Sequence, residues 1–516
     1  MGEPDEHRGV AGERPPTQEG TDGHPRRWLI LVAVCVALLI IVVDNTVLSV
    51  ALPAIADELG AGTAALQAVV DAYVVVFAGL LVVSGVAADR LGRRRTVLVG
   101  LAVFAMASTG AALAGSPAGL VVGRAVMGVG AALVMPATLA ILVQVFPDDE
   151  RPRAFAAWAG VAAVAMAAGP VLGGFLVEVW SWAGVFWINV PLAVFALAAT
   201  AWLVPESSDP DAPRVDLVSA VLVTGGMSGL VLAVVVLGES GPADPLVALG
   251  LGAAAIGLCW FAVRQRRAPA PMVDLGLYRN RVFAGASAAA ALLTLGTGSA
   301  LFVLTQHLQL VLGLTAVQAG AGLAPLAVGV VAGSTLGGRA PARIGVRGCV
   351  VIGFALVAAG FCVLAALHRD DGFLPVALGL ALLGTGTGFS SPAVTSAVLG
   401  AVPRHRAGMG SALNDTHQQL GIAVGVAALG GFLSSAYRNE LHLVAPVAEN
   451  GALAATLASA EQLDDAGLAE AAKGAFVTAQ GTTMLVAAGC AGLGAVVAGI
   501  ALRPGRTTTG SDGDDG

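Results

Sequence analysis

Apolar blocks about as long as a bilayer-crossing helix recur from residue 28 to residue 502, divided by short polar turns. This pattern restricts the fold more than any single residue does. A backbone inside hydrocarbon must satisfy its own hydrogen bonds, so such blocks fold as helices. At ~20 residues per crossing, the blocks divide into fourteen spans: 28–50, 66–88, 96–114, 119–143, 154–177, 183–204, 217–238, 246–264, 282–304, 319–340, 349–367, 373–401, 409–436 and 476–502. The expected class is an all-α integral membrane protein. Charged residues make up only 12% of the chain, about half the share in a soluble domain. The 69 glycines and abundant alanines suit helices that approach closely where burying apolar side chains gives little drive.

The turn Gly85–Arg95 (G-V-A-A-D-R-L-G-R-R-R) is too charged for hydrocarbon and fixes a membrane surface between spans 2 and 3. If both ends start inside and the spans alternate, nearly all Lys and Arg fall on that inner side. The exceptions are Arg369, Arg438 and Lys473 outside and Arg124 within span 4. The bias supports an even number of spans with both termini cytoplasmic. Scarce Lys with abundant Ala, Gly and Arg suggests a GC-rich bacterium, so the expected location is the bacterial cell membrane, crossed many times. Residues 1–27 and 504–516 read as cytoplasmic tails, the first disordered. The acid-rich stretch 438–475 reads as an external loop, with room for a short amphipathic helix.

Enzyme chemistry finds no footing. The chain has one lysine, Lys473, and no Gly-Lys pair, so it has no phosphate-cradling P-loop. No zinc-protease or nucleophile-elbow constellation is present. Cys35, Cys259, Cys349, Cys362 and Cys490 sit in or beside apolar runs without metal or disulfide spacing and read as small packing residues. No cofactor and no nucleic-acid partner are expected.

The stretch Gly338–Arg347 echoes Gly85–Arg94, with Arg343 on Arg90 and Gly345 on Gly92; Ala342 stands where Asp89 does. Each copy follows the second span of a six-span half. The chain therefore divides into a first bundle (28–204), an inserted helix pair (217–264) and a second bundle (281–503).

Asp44, inside span 1, costs ~2.5–3.5 kcal/mol to insert as an anion. It must face a cavity, pair with a cation or take up a proton; a helix-end acid touching water is the plain alternative. Arg124 cannot deprotonate, so it needs a carboxylate, carbonyls or water. A fixed cation lowers the pKa of a nearby acid, and separating the two raises it again, which is a switch linked to helix motion; a purely structural ion pair is the alternative. Asp71 lies near the start of span 2, as vestibule lining or as a solvated terminus. Gln306, His307 and Gln309 end span 9. Asn414, Asp415, His417, Gln418 and Gln419 enter span 13. Amides and imidazoles at such depth generally face a cavity, although a lone histidine is commonly hydrogen-bonded scaffolding. Pro170 bends span 5, and Gly169, Gly173 and Gly174 give it a bare packing face.

Several of these stretches carry family signatures. Gly85, Asp89, Arg90, Gly92, Arg93 and Arg94 match the major facilitator loop signature G-x-x-x-D-R-x-G-R-R. Span 1 resembles D-x-T-V-x-N-V-A-L-P of drug:proton antiporters through Asp44, Thr46, Val47, Val50, Ala51, Leu52 and Pro53, departing at Ser49. Span 4 resembles R-x-x-x-G-x-G-A-A through Arg124, Gly128, Gly130, Ala131 and Ala132. Span 5 resembles the exporters' G-P-x-x-G-G, with Ala165 replacing the leading glycine. Phe186, Ile188, Asn189, Val190 and Pro191 resemble the span-6 segment of fourteen-span antiporters, and Ala407–Gly421 resembles their span 13.

The resemblance implies a major facilitator fold, with two six-helix bundles plus two extra central helices. It implies proton-coupled efflux of hydrophobic or amphipathic drugs by alternating access, working as a monomer in the lipid bilayer. Asp44 and Arg124 would couple protons. Asp71, Gln306, His307, Asn414 and His417 would line the substrate cavity. Gly85, Asp89, Arg90, Gly92, Arg93, Gly169, Pro170, Gly173 and Gly174 would serve gating, with Asp89 and its arginines holding the cytoplasmic side shut against a neighbouring helix end. The alternatives are a proton-coupled nutrient symporter, against which the span-5 signature argues, and a non-transporting membrane sensor or scaffold.

Overall fold

A computed structural model describes residues 23–241, 243–444 and 453–503. The tails expected at 1–27 and 504–516 lie outside these residues, apart from Gly23–Arg27. The described chain is helical throughout, with no strand. Thirteen helices are long and apolar enough to cross a membrane: Arg27–Leu48, Ala65–Leu91, Arg93–Ala112 and Pro117–Val145 (spans 1–4), Gly184–Leu203, Leu217–Leu237 and Pro245–Arg267 (spans 6–8), Arg281–Val311, Val317–Gly337, Pro341–Ala365 and Phe373–Gly400 (spans 9–12), and Arg404–Leu443 and Ala466–Ala501 (spans 13 and 14). Span 5 is the fourteenth, a pair Arg151–Met166 and Val171–Val179 bent by 43° where Pro170 withdraws a backbone donor.

Capping residues set several of these boundaries. Ser116 accepts from Gly119 N at 3.2 Å ahead of Pro117, a start suited to a proline that lacks an N–H. Asp216, Asp244 and Asn280 cap spans 7, 8 and 9 in the same way. Gly60 ends the first helix in the left-handed region at φ 62°.

The stretch read as an external loop, 438–475, is largely helical among its described residues. The helix of span 13 continues to Val444, a short helix covers Leu453–Gln462, and the last helix already starts at Ala466. Acidic residues mark surface, and a helix that projects beyond the membrane presents the same polar signature as a loop.

Two hydrophobic cores form. One gathers spans 1–6 around Phe104, Met127, Phe146, Phe155 and Phe186. The other gathers the second half around Phe283, Phe354, Phe361 and Phe476, and takes in Val223, Met227 and Phe261 of the inserted pair with Val82 and Val86 of span 2. Close approach replaces bulk within each half: a Cβ on Gly100 would stand 2.8 Å from Gly130 O, and one on Gly130 2.7 Å from Gly100 O.

Span 7 packs against both span 2 and span 13, one helix from each half, and span 8 packs on span 7. Ser228 Oγ donates to Val75 O at 3.1 Å. At the hairpin's end Arg264 Nε meets Asp216 Oδ2 at 2.6 Å and Gln265 Nε2 donates to Ser219 Oγ at 2.8 Å. The Arg264 and Ser219 hydrogen bonds hold the Asp216 carboxyl well below the usual range.

The internal echo has a backbone counterpart. Gly92 and Gly345, aligned in sequence, both take positive φ (109° and 70°), which a side chain would strain.

Candidate functional site

Asp44 and Arg124 meet in the interior of the first half, 3% and 0% exposed. Arg124 Nη1 donates to Asp44 Oδ2 at 2.5 Å. The other carboxylate oxygen, Oδ1, accepts from Asn189 Nδ2 at 2.8 Å. That amide nitrogen also reaches Ser108 Oγ at 3.2 Å, and Ser108 Oγ donates to Phe186 O at 2.8 Å. Arg124 Nε donates to Val69 O at 3.3 Å, and its guanidinium lies over the Tyr73 ring, 4.3 Å from the centroid. Spans 1, 2, 3, 4 and 6 thus converge on one carboxylate.

The pair is tightly interdependent. Removing one partner of a buried ion pair leaves an uncompensated charge and costs ~3–5 kcal/mol. Protonating Asp44 would release Arg124, whose charge cannot be lost and must find another partner. Spare polar atoms lie at hand: Arg124 Nη2, Asn189 Oδ1 and the Tyr73 hydroxyl have no hydrogen-bond partner among the described residues.

Span 5 packs directly behind this carboxylate. A methyl on Gly169 would overlap Thr46 Oγ1, and one on Gly173 would stand 2.8 Å from Val47 O. Thr46 and Val47 follow Asp44 by two and three residues. Gly174 faces Val317 of span 10, in the other half. The bend at residues 167–170 therefore lies where span 5 touches both the Asp44 segment and the second half.

A second cluster joins the halves at the arginine-rich end. Asp89 Oδ1 accepts from Gly408 N at 2.7 Å and from Arg93 Nη2 at 2.6 Å, while Oδ2 accepts from Met409 N at 2.8 Å. A carboxylate of the first half thus caps the first turn of the Ala407–Val444 helix of the second, where N–H groups and helix dipole favour an anion. Arg93 Nη2 also donates to His405 O at 2.7 Å, and both side chains of the ion pair are almost fully buried. Gly85 allows the approach, since a Cβ there would overlap Gly408 O and Ala412 Cβ. Arg90 Nη1 donates to Ala212 O at 2.5 Å and Arg94 Nη2 to Ala201 O at 2.5 Å, tying the loop to the last turn of span 6 and to the chain after it. Arg404 meets Asp148 across the halves at 2.9 Å. Nearby, Arg27 meets Glu150 at 2.6 Å and holds that carboxyl below its usual range.

Among the described residues the echoing loop makes no such latch. Gly338 packs on the start of span 5 at Pro152 and Arg153, but Ala342 has no carboxylate and Pro152 has no N–H to offer.

The remaining candidates are dispersed. Asp71 and Gln306 are half-buried. His307 is 1% exposed beside Gln480 of the last span. Asn414, equally buried, donates to Asp415 Oδ1 at 3.3 Å. His417 Nε2 lies 2.8 Å from the Tyr278 hydroxyl, edge-on to Tyr278 and Phe283. The structure thus gathers Asp44 with Arg124, and Gly85, Asp89 and Arg93 with span 13, and leaves Gln306, His307, Asn414 and His417 in separate contacts. Ser108, Tyr73 and the role of Asn189 beside Asp44 were not singled out by sequence reasoning. The one available signal was the I-N-V-P segment, which puts an amide inside a span. Among the described residues no group of three His, Cys, Asp or Glu could hold a metal ion.

Comparison with known proteins bears on the chain and its fold. A sequence model of the Major Facilitator Superfamily matches residues 34–426. The multidrug efflux pump LfrA of Mycolicibacterium smegmatis is 35% identical over 492 residues, covering 93% of this chain and 97% of that protein. A tetracenomycin C resistance and export protein of Streptomyces glaucescens is 33% identical over 84% of this chain and 79% of its own. The lincomycin resistance protein of Streptomyces lincolnensis is 36% identical over 78% and 83%. Among solved structures, the proton:xylose symporter XylE superposes with TM-score 0.60 at 13% identity, over 91% of this chain and 94% of that one. At that identity it speaks for the fold alone.

Proposed function

The chain belongs to the major facilitator superfamily, and we propose that it is a proton-coupled exporter of hydrophobic or amphipathic drugs, working as a monomer in the bacterial cell membrane with both termini cytoplasmic. The observation that carries this reading is the Asp44–Arg124 pair buried in a bundle whose relatives are named for drug efflux and antibiotic resistance. A proton reaching Asp44 neutralises it and frees Arg124 to turn toward the unpaired atoms around it. That rearrangement changes how span 1 seats on the glycine face of span 5, which also touches the second half. The halves rock as the pair breaks and re-forms. Asp89 and Arg93 hold the cytoplasmic end closed in the state described, and Asp71, Gln306, His307, Asn414 and His417 contribute polar groups to the substrate path.

The driving force is adequate. A potential of 100 mV gives ~2.3 kcal/mol per charge and each pH unit ~1.4 more, together a several-hundredfold gradient per proton. The test is a drug-susceptibility panel in a pump-deficient host. Wild-type chain should raise tolerance to a set of hydrophobic compounds, and Asp44→Asn, at equal membrane abundance, should not. Equal tolerance from both would remove Asp44 from the mechanism.

A further inference from the structure

Cations at the arginine-rich end divide into those with a carboxylate partner and those without. Arg27, Arg93, Arg95 and Arg151 of the first half and Arg404 of the second have one, and Arg90 and Arg94 are held by backbone carbonyls. At the same end of the second half, Arg281, Arg339, Arg343, Arg347 and Arg503 have no ion pair among the described residues. No Asp or Glu occurs between residues 275 and 369, so the helix ends around them bring no local counter-charge.

Three of these arginines line a groove. Two adjoining clefts of about 470 and 460 Å³ share Val346 and Leu502 on their walls. Arg347 lines the first, and Arg281 and Arg503 the second. The groove is braced rather than incidental. Arg281 Nη2 donates to Arg503 O at 3.1 Å, joining the start of span 9 to the end of span 14, and Gly345 turns the wall at φ 70°. Ser396 Oγ, on the wall of the second cleft, has no hydrogen-bond partner among the described residues. Beside the first cleft, spans 11 and 14 pack together with Gly499 against Val351 and Gly494 against Phe354, and their exposed faces are apolar, with Ile352, Val496 and Ile500 45%, 57% and 59% exposed.

The geometry points to a binding site for an anionic phospholipid, its phosphate between Arg281, Arg347 and Arg503 and an acyl chain along the seam of spans 11 and 14. Cations with no carboxylate partner among the described residues, at the level of the headgroups and above a lipid-facing apolar strip, complement a molecule that is anionic at one end and apolar along its length. A soluble anion would use the arginines but not the strip. The lipid would supply the counter-charge that the echoing loop lacks at Ala342, and would hold together the ends of spans 9, 11 and 14.

Native mass spectrometry of the full chain in detergent tests this, titrating phosphatidylglycerol, phosphatidylcholine or inorganic phosphate. Phosphatidylglycerol should bind at low stoichiometry and raise the melting temperature, with phosphatidylcholine at least tenfold weaker. Affinity should fall about fivefold for each of Arg281→Gln, Arg347→Gln and Arg503→Gln, and on the order of a hundredfold for all three. Equal binding of the two lipids by wild type overturns the proposal without any variant. Inorganic phosphate that displaces the lipid and gives the same thermal shift also overturns it, since the site would then be for a free anion. The acidic tail is a third occupant: if lipid binds only after Asp512→Asn, Asp514→Asn and Asp515→Asn, the tail fills the groove and the proposal fails.

Discussion

Asp89→Asn probes the contact that joins the halves at the arginine-rich end. The substitution keeps size and one carbonyl oxygen but removes the charge. The carboxylate accepts two backbone N–H groups of span 13, at 2.7 and 2.8 Å, on different oxygens. In the variant one of those N–H groups faces an NH₂, donor against donor, and Arg93 stays buried without the charge that Asp89 supplied, still donating to His405 O. Hydrogen bonds to a charged acceptor contribute ~1.5–3 kcal/mol each, and the first-turn dipole ~0.3–1 more. Water recovers part of this when the ends separate, leaving on the order of 3 kcal/mol in favour of the closed contact. At ~1.4 kcal/mol per decade, the closed-to-open ratio should fall about a hundredfold. Spin labels at Leu91→Cys and Ile344→Cys, 62% and 45% exposed at the arginine-rich end of the two halves, report it once the five native cysteines are replaced. The variant should shift the label distance to a longer population and slow drug export by about tenfold. An unchanged distance distribution with unchanged export would refute the latch.

Other perturbations follow from the same contacts. Asn189→Leu removes the donor to Asp44 Oδ1 at 2.8 Å, and should shift the pH dependence of export while membrane abundance stays near wild type; an unmoved pH profile would make Asn189 structural only. Gly169→Val puts a branched side chain where Thr46 Oγ1 lies, and should abolish export with less than ~3 kcal/mol lost in stability, measured by thermal unfolding in detergent. Asp216→Asn loosens the span 7–8 hairpin. Because the folded carboxyl titrates below its ordinary value, its stabilising effect is complete above the unfolded pKa of ~3.9 and fades only as pH falls toward the depressed one. The melting-temperature gap between wild type and variant should therefore be constant from about pH 7 to 5 and narrow in stronger acid.

Span number and order were legible because hydrophobic length alone decides what crosses a bilayer. The spans read from sequence fall within a few residues of most helices found. Extension past the membrane was not legible, since the helix that continues to Val444 and the one that starts at Ala466 carry the polar surface of a loop. Asp44 and Arg124 stood out because charge is rare and costly at that depth, while their pairing, between spans 1 and 4, was set by packing. Asn189, Ser108 and Tyr73 did not stand out, because neutral polar side chains are tolerated in helices at little cost and their partners are set by packing. Asp89 was read as meeting a neighbouring helix end; which end, that of span 13, depended on the tertiary arrangement. The contact of His417 with Tyr278, between a span and a loop far away in sequence, had no signal at all.

The central claim is that export is driven through the Asp44 carboxylate. Proteoliposomes holding a pH-sensitive dye, with the chain reconstituted and an exported drug added on one side, measure it directly. Wild-type chain should answer drug addition with a proton flux opposite to the drug, and Asp44→Asn should show none while still binding the drug. A drug-evoked proton flux of wild-type size from Asp44→Asn would contradict the account.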